Sequence, residues 1–127
     1  MDYQEPTYDY NIGEEKLPDE VIAVSTARAV LDTRGVAELS GGIGDQITKT
    51  LLRKEQLSKG IRIDQNDEGI DLDIYILVYY GARIPEIAWQ IQKNVKRNVE
   101  QLTEKKVLAV NVHVKGVVDK GNDKVTE

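Results

Sequence analysis

The sequence contains no cysteine and a single histidine, His113. The first absence removes disulfides, thiol nucleophiles and thiolate-ligated zinc together. The second removes any His-rich metal centre within one chain. No apolar run approaches the roughly 20 residues of a membrane-spanning helix, so work at a membrane is expected to be peripheral. The opening residues, MDYQEPTYDYN, are acidic and lack an apolar stretch, and no secretory signal is read there. Basic charge is also in the minority: 17 Lys and Arg stand against 22 Asp and Glu, a net charge of −5. A general nucleic-acid binder carries a positive balance, so this chain would need a strongly local patch to act as one.

What is present fits one domain. A length of 127 residues, 40% hydrophobic and 31% charged, is enough for a single core. Residues 1–12 read as a flexible, tyrosine-containing arm, 13–118 as the domain and 119–127 as a polar tail. LPDEVIAVSTARAVLDTRG reads as a helix: Pro18, Asp19 and Glu20 suit a first turn and Gly35 a stop. Ala23, Val24, Ala27, Val30 and Leu31 form its expected inner face. GVAELS is short and extended. IRIDQ and GIDLDIYILVYYG are strands, and the NDEG between them makes a hairpin. In the longer strand Ile70, Leu72, Ile74, Ile76 and Val78 share one face, with Asp71, Asp73, Tyr75, Leu77 and Tyr79 on the other. The clearest helix carries Ile84, Ile87, Ala88, Ile91, Val95, Val99 and Leu102 on one stripe. VLAVNVHVKGVV is the last strand, with Leu108, Val110, Val112 and Val114 expected inward. With NIGEEKL extended ahead of the first helix, the order is strand-helix-strand-hairpin-helix-strand. This describes an α+β fold: a small mixed sheet with two main helices on one face and the other face open.

Little in the chain carries chemistry. LSGGIGDQI has Gly41, Gly42 and Gly44 ahead of a weakly periodic polar segment, DQITKTLLRKEQLSKG. A phosphate loop would follow its last glycine with Lys-Ser/Thr, whereas Asp45 here repels phosphate from the helix start. Gly41-x-x-Gly44 has the spacing of a KH clamp, but its nearest charges are Glu38 and Asp45. A surface turn is the favoured reading, and a KH-like nucleic-acid module using Gly41–Gly44 is the alternative. Asp71 and Asp73 are neighbours on one strand face, able to host a cation or to raise a pKa, or simply solvated. No motif places a Ser or Asp beside His113, so a catalytic triad is unsupported. No catalytic residue, cofactor or metal is expected.

Two surfaces stand out as partner-binding candidates. Trp89, Lys93 and Lys96, flanked by Arg97, share the polar side of the long helix. They form a docking spot for a protein or an anionic surface, or else Trp89 packs on the rim and the lysines keep the helix soluble. Tyr75, Leu77 and Tyr79, with His113 on a neighbouring strand, make the open sheet face more apolar than water requires. An interface there competes with cover by the arm or by DQITKTLLRKEQLSKG.

LSKGI, YILVYYGARIPEIAWQIQ and VNVHVKGV, in that order and spacing, resemble the alkaline shock protein family of Gram-positive bacteria, also called the Gls general-stress family. PDEVIAVSTARAVLDTRGVAELSGG resembles its N-terminal half, and the similarity covers residues 13–118. This chain is similar to the short, anchor-less type. The resemblance implies a cytoplasmic α+β protein linked to envelope stress. It implies a non-enzymatic adaptor held at the inner face of the membrane by a small membrane-anchored protein partner, able to self-associate as a homo-oligomer. It implies no catalytic residues.

Overall fold

A computed structural model describes residues 17–41, 59–119 and 125–126. Helix α1 (Asp19–Leu31) leads into β1 (Val36–Leu39). The hairpin β2 (Ile61–Asn66) and β3 (Gly69–Tyr79) follows, then α2 (Ile84–Thr103), β4 (Val107–Val118) and β5 (Val125–Thr126). The expected first strand falls on residues 11–17. All but Leu17 lie outside the described residues, and Leu17 itself is not in a strand.

Strand β3 organises the sheet. Its residues Ile70, Leu72, Ile74, Ile76 and Val78 are at most 1% exposed, as the alternation of the sequence requires. β1 and β2 lie end to end along one edge of β3, both antiparallel to it. The hand-over occurs at Tyr75, whose carbonyl accepts the Ser40 N–H at 2.8 Å and whose N–H donates to the Gly60 carbonyl at 2.8 Å. Gly60 has φ +82°, and a Cβ there would meet the carbonyl oxygens of Ser40 and Tyr75 at 2.8 and 2.9 Å. Only glycine passes through that seam without displacing backbone. The hairpin turn is held by Asn66, whose Oδ1 accepts the N–H groups of Glu68 at 2.8 Å and Gly69 at 3.1 Å.

The other edge of β3 pairs with β4 in parallel, reached through α2. The sheet is therefore mixed, and both helices cover one face of it, giving the expected α+β architecture. In α2 the stripe Ile87, Ile91, Val95 and Val99 is buried, while its ends, Ile84 and Leu102, are 41% and 40% exposed. The buried stripe is thus shorter than the sequence pattern, losing one residue at each end.

Helix α1 corrects the expected face. Its buried residues are Ile22, Ala23, Thr26, Ala29 and Val30, the expected spacing rotated by one residue. Leu31, assigned to the core, is 49% exposed, and Thr26 is fully buried in its stead. Apolar side chains surround this helix on nearly every side, so periodicity left its rotation undetermined, and packing against α2 and the sheet set it. Gly35, at φ +99°, ends the turn after α1 where a Cβ would stand 2.7 Å from the Ile87 side chain.

Strand β4 corrects a second inward residue. Its register on β3 steps from Ile70↔Val107 to Asp71↔Ala109, which leaves Leu108 unpaired in a bulge. Leu108 is 45% exposed in consequence. A second step, between Ile76↔Val114 and Leu77↔Gly116, does the same to Lys115. Within the stretch read as a polar tail, Val125–Thr126 pairs antiparallel with Val117–Val118.

Candidate interaction surfaces

The two candidate surfaces lie on opposite sides of the molecule. Ile87, Ile91, Val95 and Val99 turn α2 toward the sheet, so the opposite side of the helix faces solvent. Trp89 is there and 55% exposed. The Lys93 ammonium lies 4.6 Å from its ring centroid, one helical turn away, in cation–π contact. Lys96 and Arg97 continue the cationic strip, and Arg97 Nη2 donates to Asn94 Oδ1 at 3.1 Å. Lys93, Lys96, Arg97, Glu100 and Gln101 line a shallow open depression. Its carboxylate is engaged elsewhere: Glu100 Oε2 accepts the Val107 N–H at 2.9 Å, tying the last turns of α2 to the start of β4. The strip thus presents an aromatic ring followed by three cations.

The open sheet face is built by β2, β3 and β4. Parallel pairing sets Tyr75 beside His113 and Asp73 beside Asn111, while antiparallel pairing sets Arg62 beside Asp73. The Tyr75 and His113 rings stack with centroids 4.4 Å apart and 13° between planes. His113 Nε2 and Asp73 Oδ1 are 3.0 Å apart. The hydrogen bond from His113 holds the Asp73 carboxyl below its ordinary range. Partial burial opposes this, and Asn111 and the Arg62 charge add to it. The sequence reading offered a raised pKa for the Asp71/Asp73 pair, and for Asp73 the structure reverses that direction. Asp71 faces Asp64 and Ala109 instead, so the strand separates the two aspartates into different company. Leu77 and Tyr79, further along, are half-buried.

Sequence reasoning placed His113 near the tyrosines but found no acid beside it. The Asp73–His113 contact joins residues 40 positions apart and depends on parallel pairing across the α2 crossover, which local patterning does not encode. It also missed Tyr80, 80% exposed at the turn into α2. The KH-like reading rests on the Gly41–Gly44 loop, of which all but Gly41 lies outside the described residues, as does most of DQITKTLLRKEQLSKG. Among the described residues no three or more His, Asp or Glu side chains are grouped to hold a metal ion, and no helix is long and apolar enough to cross a membrane.

Among the described residues, a mixed sheet with two helices on one face defines a small α+β domain. Residues 8–119 match the alkaline shock protein 23 family, described by a cell envelope-related function, and the chain belongs to that family. It is 37% identical over 107 residues to the uncharacterized protein YloU of Bacillus subtilis, covering 83% of this chain and 88% of that one. It is 24% identical over 102 residues to a stress response regulator gls24 homolog of Streptococcus pyogenes, covering 80% of this chain and 57% of the relative. The family is thus linked to the cell envelope and to stress response. Among solved structures, a zinc form of the MamM CTD aligns with a TM-score of 0.50 at 13% identity, over 86% of this chain and 96% of that one. At that identity the likeness is one of fold alone.

Proposed function

We propose that this protein is a non-enzymatic adaptor at the cytoplasmic face of the cell envelope, where it binds a small membrane-anchored protein and associates with copies of itself. The observation that carries the reading is Trp89: a large ring 55% exposed on a helix whose inner face is satisfied, with the Lys93 ammonium against it. Exposed tryptophan beside cations is the composition of interface anchors, and such anchors hold most of the binding energy of a protein contact. Membership of an envelope-related family supports the location. Lys96 and Arg97 suit an acidic segment of the partner. The tyrosine face, with Tyr75, Leu77, Tyr79 and His113, is the second contact surface.

The test is recovery of partners by the tagged protein from its own cells under mild detergent extraction. Trp89→Ala is expected to lose the membrane-anchored partner while unfolding at the wild-type temperature, because the ring lies outside the core. An unchanged partner set for Trp89→Ala removes α2 as the contact. Recovery of RNA that weakens steeply with salt replaces the adaptor with the nucleic-acid module.

A further inference from the structure

The exposed large apolar side chains of the described residues are not spread evenly. Leu31, Tyr80 and Ile84 stand at one end of the molecule, and Tyr80 is the most exposed of all. Three contacts define that end. The Tyr79 N–H donates to the Gly35 carbonyl at 3.0 Å, and the Tyr80 N–H to the Val118 carbonyl at 2.9 Å. A Cβ on Gly35 would meet the Ile87 side chain. The stop of α1, the exits of β3 and β4 and the start of α2 therefore come together there. Trp89 follows Ile84 by five residues, about 7.5 Å along the α2 axis. Gly81, at φ +89°, has nothing within 4 Å of where its Cβ would stand, so the turn beside Tyr80 is clear of the rest of the described chain. These apolar tips come from three separate elements. A fluid surface can close around each of them, whereas a protein hot spot sits in a packed pocket.

Charge divides along the same axis. Arg28 and Arg34 bracket the end of α1, Arg83 precedes α2, and Lys93 lies against Trp89. All four are exposed. The acids at this end are Asp32, Glu86 and Asp119, and Glu86 lies 3.8 Å from Arg83. The far end is fixed by Gln65, which donates to the Leu17 carbonyl and to Asp19, and by the Ile70 N–H on the Lys106 carbonyl. It carries Asp19, Glu20, Asp67, Glu68, Asp71 and Glu104 against Lys105 and Lys106. Among the described residues the negative charge is thus gathered away from Tyr80, and an anionic surface turns the Tyr80 end toward itself. We infer that this end docks directly on an anionic lipid bilayer, with Tyr80, Ile84 and Trp89 in the headgroup layer and Arg34, Arg83 and Lys93 against lipid phosphates. Aromatic and aliphatic tips beside Arg and Lys are the composition of interfacial anchors. The inference goes beyond the adaptor reading, which gives the membrane contact to a partner protein and leaves Tyr80, Ile84 and Arg83 unused. An acidic protein segment is the competing occupant, and it leaves the isolated chain indifferent to lipid.

Vesicles of phosphatidylglycerol and phosphatidylcholine in equal parts, set against phosphatidylcholine alone, test this with the purified full chain. Trp89 is the only tryptophan, so its emission reports on the site itself. The expected result is co-sedimentation with the anionic vesicles only, weakening as salt rises, together with a blue shift of the emission. Arg83→Glu is expected to lower the partition coefficient about tenfold, and Tyr80→Ser several-fold, each with the wild-type unfolding midpoint. Lys106→Glu makes the same change of charge at the far end and is expected to cost far less. That contrast separates an oriented contact from general attraction of charge. No binding to either vesicle, binding without a blue shift, or equal losses for Arg83→Glu and Lys106→Glu overturns the inference. Vesicle binding requires no partner protein, so its failure leaves the adaptor reading standing. An unchanged partner set for Trp89→Ala removes that reading and leaves this one.

Discussion

Asp73 sits among His113, Asn111 and Arg62, and that company lowers its carboxyl pKa from the ordinary 3.8. The sign of the linkage follows. A carboxyl whose pKa is lower in the folded state stabilises the fold above the unfolded pKa and loses that contribution as pH falls through the folded one. The urea midpoint of wild type should therefore exceed that of Asp73→Asn near neutrality, and the gap should close below about pH 3.8. The side chain is 37% exposed, so solvent screening keeps the gap small. Trp89 is the opposite kind of residue. Its truncation to Ala is expected to leave the unfolding free energy in urea within about 0.5 kcal/mol of wild type while abolishing partner recovery, since exposed substitutions away from caps and cores rarely change stability more. A large loss of stability would instead place Trp89 in the structural rim.

At the scale of elements, α2 and the β1–β2 seam hold the fold. Ile91 is fully buried in the centre of the α2 stripe. Ile91→Ala should cost about 2–5 kcal/mol in denaturant unfolding, against under about 1 kcal/mol for Leu102→Ala at the half-exposed end. Equal costs would mean that Leu102 packs as deeply as Ile91. Gly60 is needed for a different reason, because β1 gives way to β2 between two carbonyl oxygens. Gly60→Ala should cost about 2 kcal/mol or more, from the left-handed φ and the displaced backbone together. Its effect should appear as faster hydrogen exchange at Ser40 and Tyr75, whose amides bond across that seam. Helix α1 shows where reading by element runs out. The expected spacing is present but turned by one residue, with Thr26 inside and Leu31 outside. Among the described residues its Thr26 hydroxyl is buried without a hydrogen-bond partner, a polar cost that the helical pattern gives no reason to expect.

For the whole molecule, the arrangement of surfaces matters more than any one of them. The cationic strip of α2 and the Tyr75–His113 face look in opposite directions, and the β4 edge lies between them. A protein so built can hold one contact on each side without the two competing for surface.

The sequence by itself determined the α+β class, the hairpin and its turn, the inward row of β3, and the polar outer side of α2. These follow from periods of 2 and 3.6 residues and from turn chemistry, which act over a few neighbours. Tertiary structure alone decided the rotation of α1, the two bulges of β4 and the meeting of Asp73 with His113. The rotation was set by packing against α2 and the sheet, and the other two by the register between β3 and β4, strands that α2 separates along the chain; register is set by packing of the whole core rather than by any local run of residues.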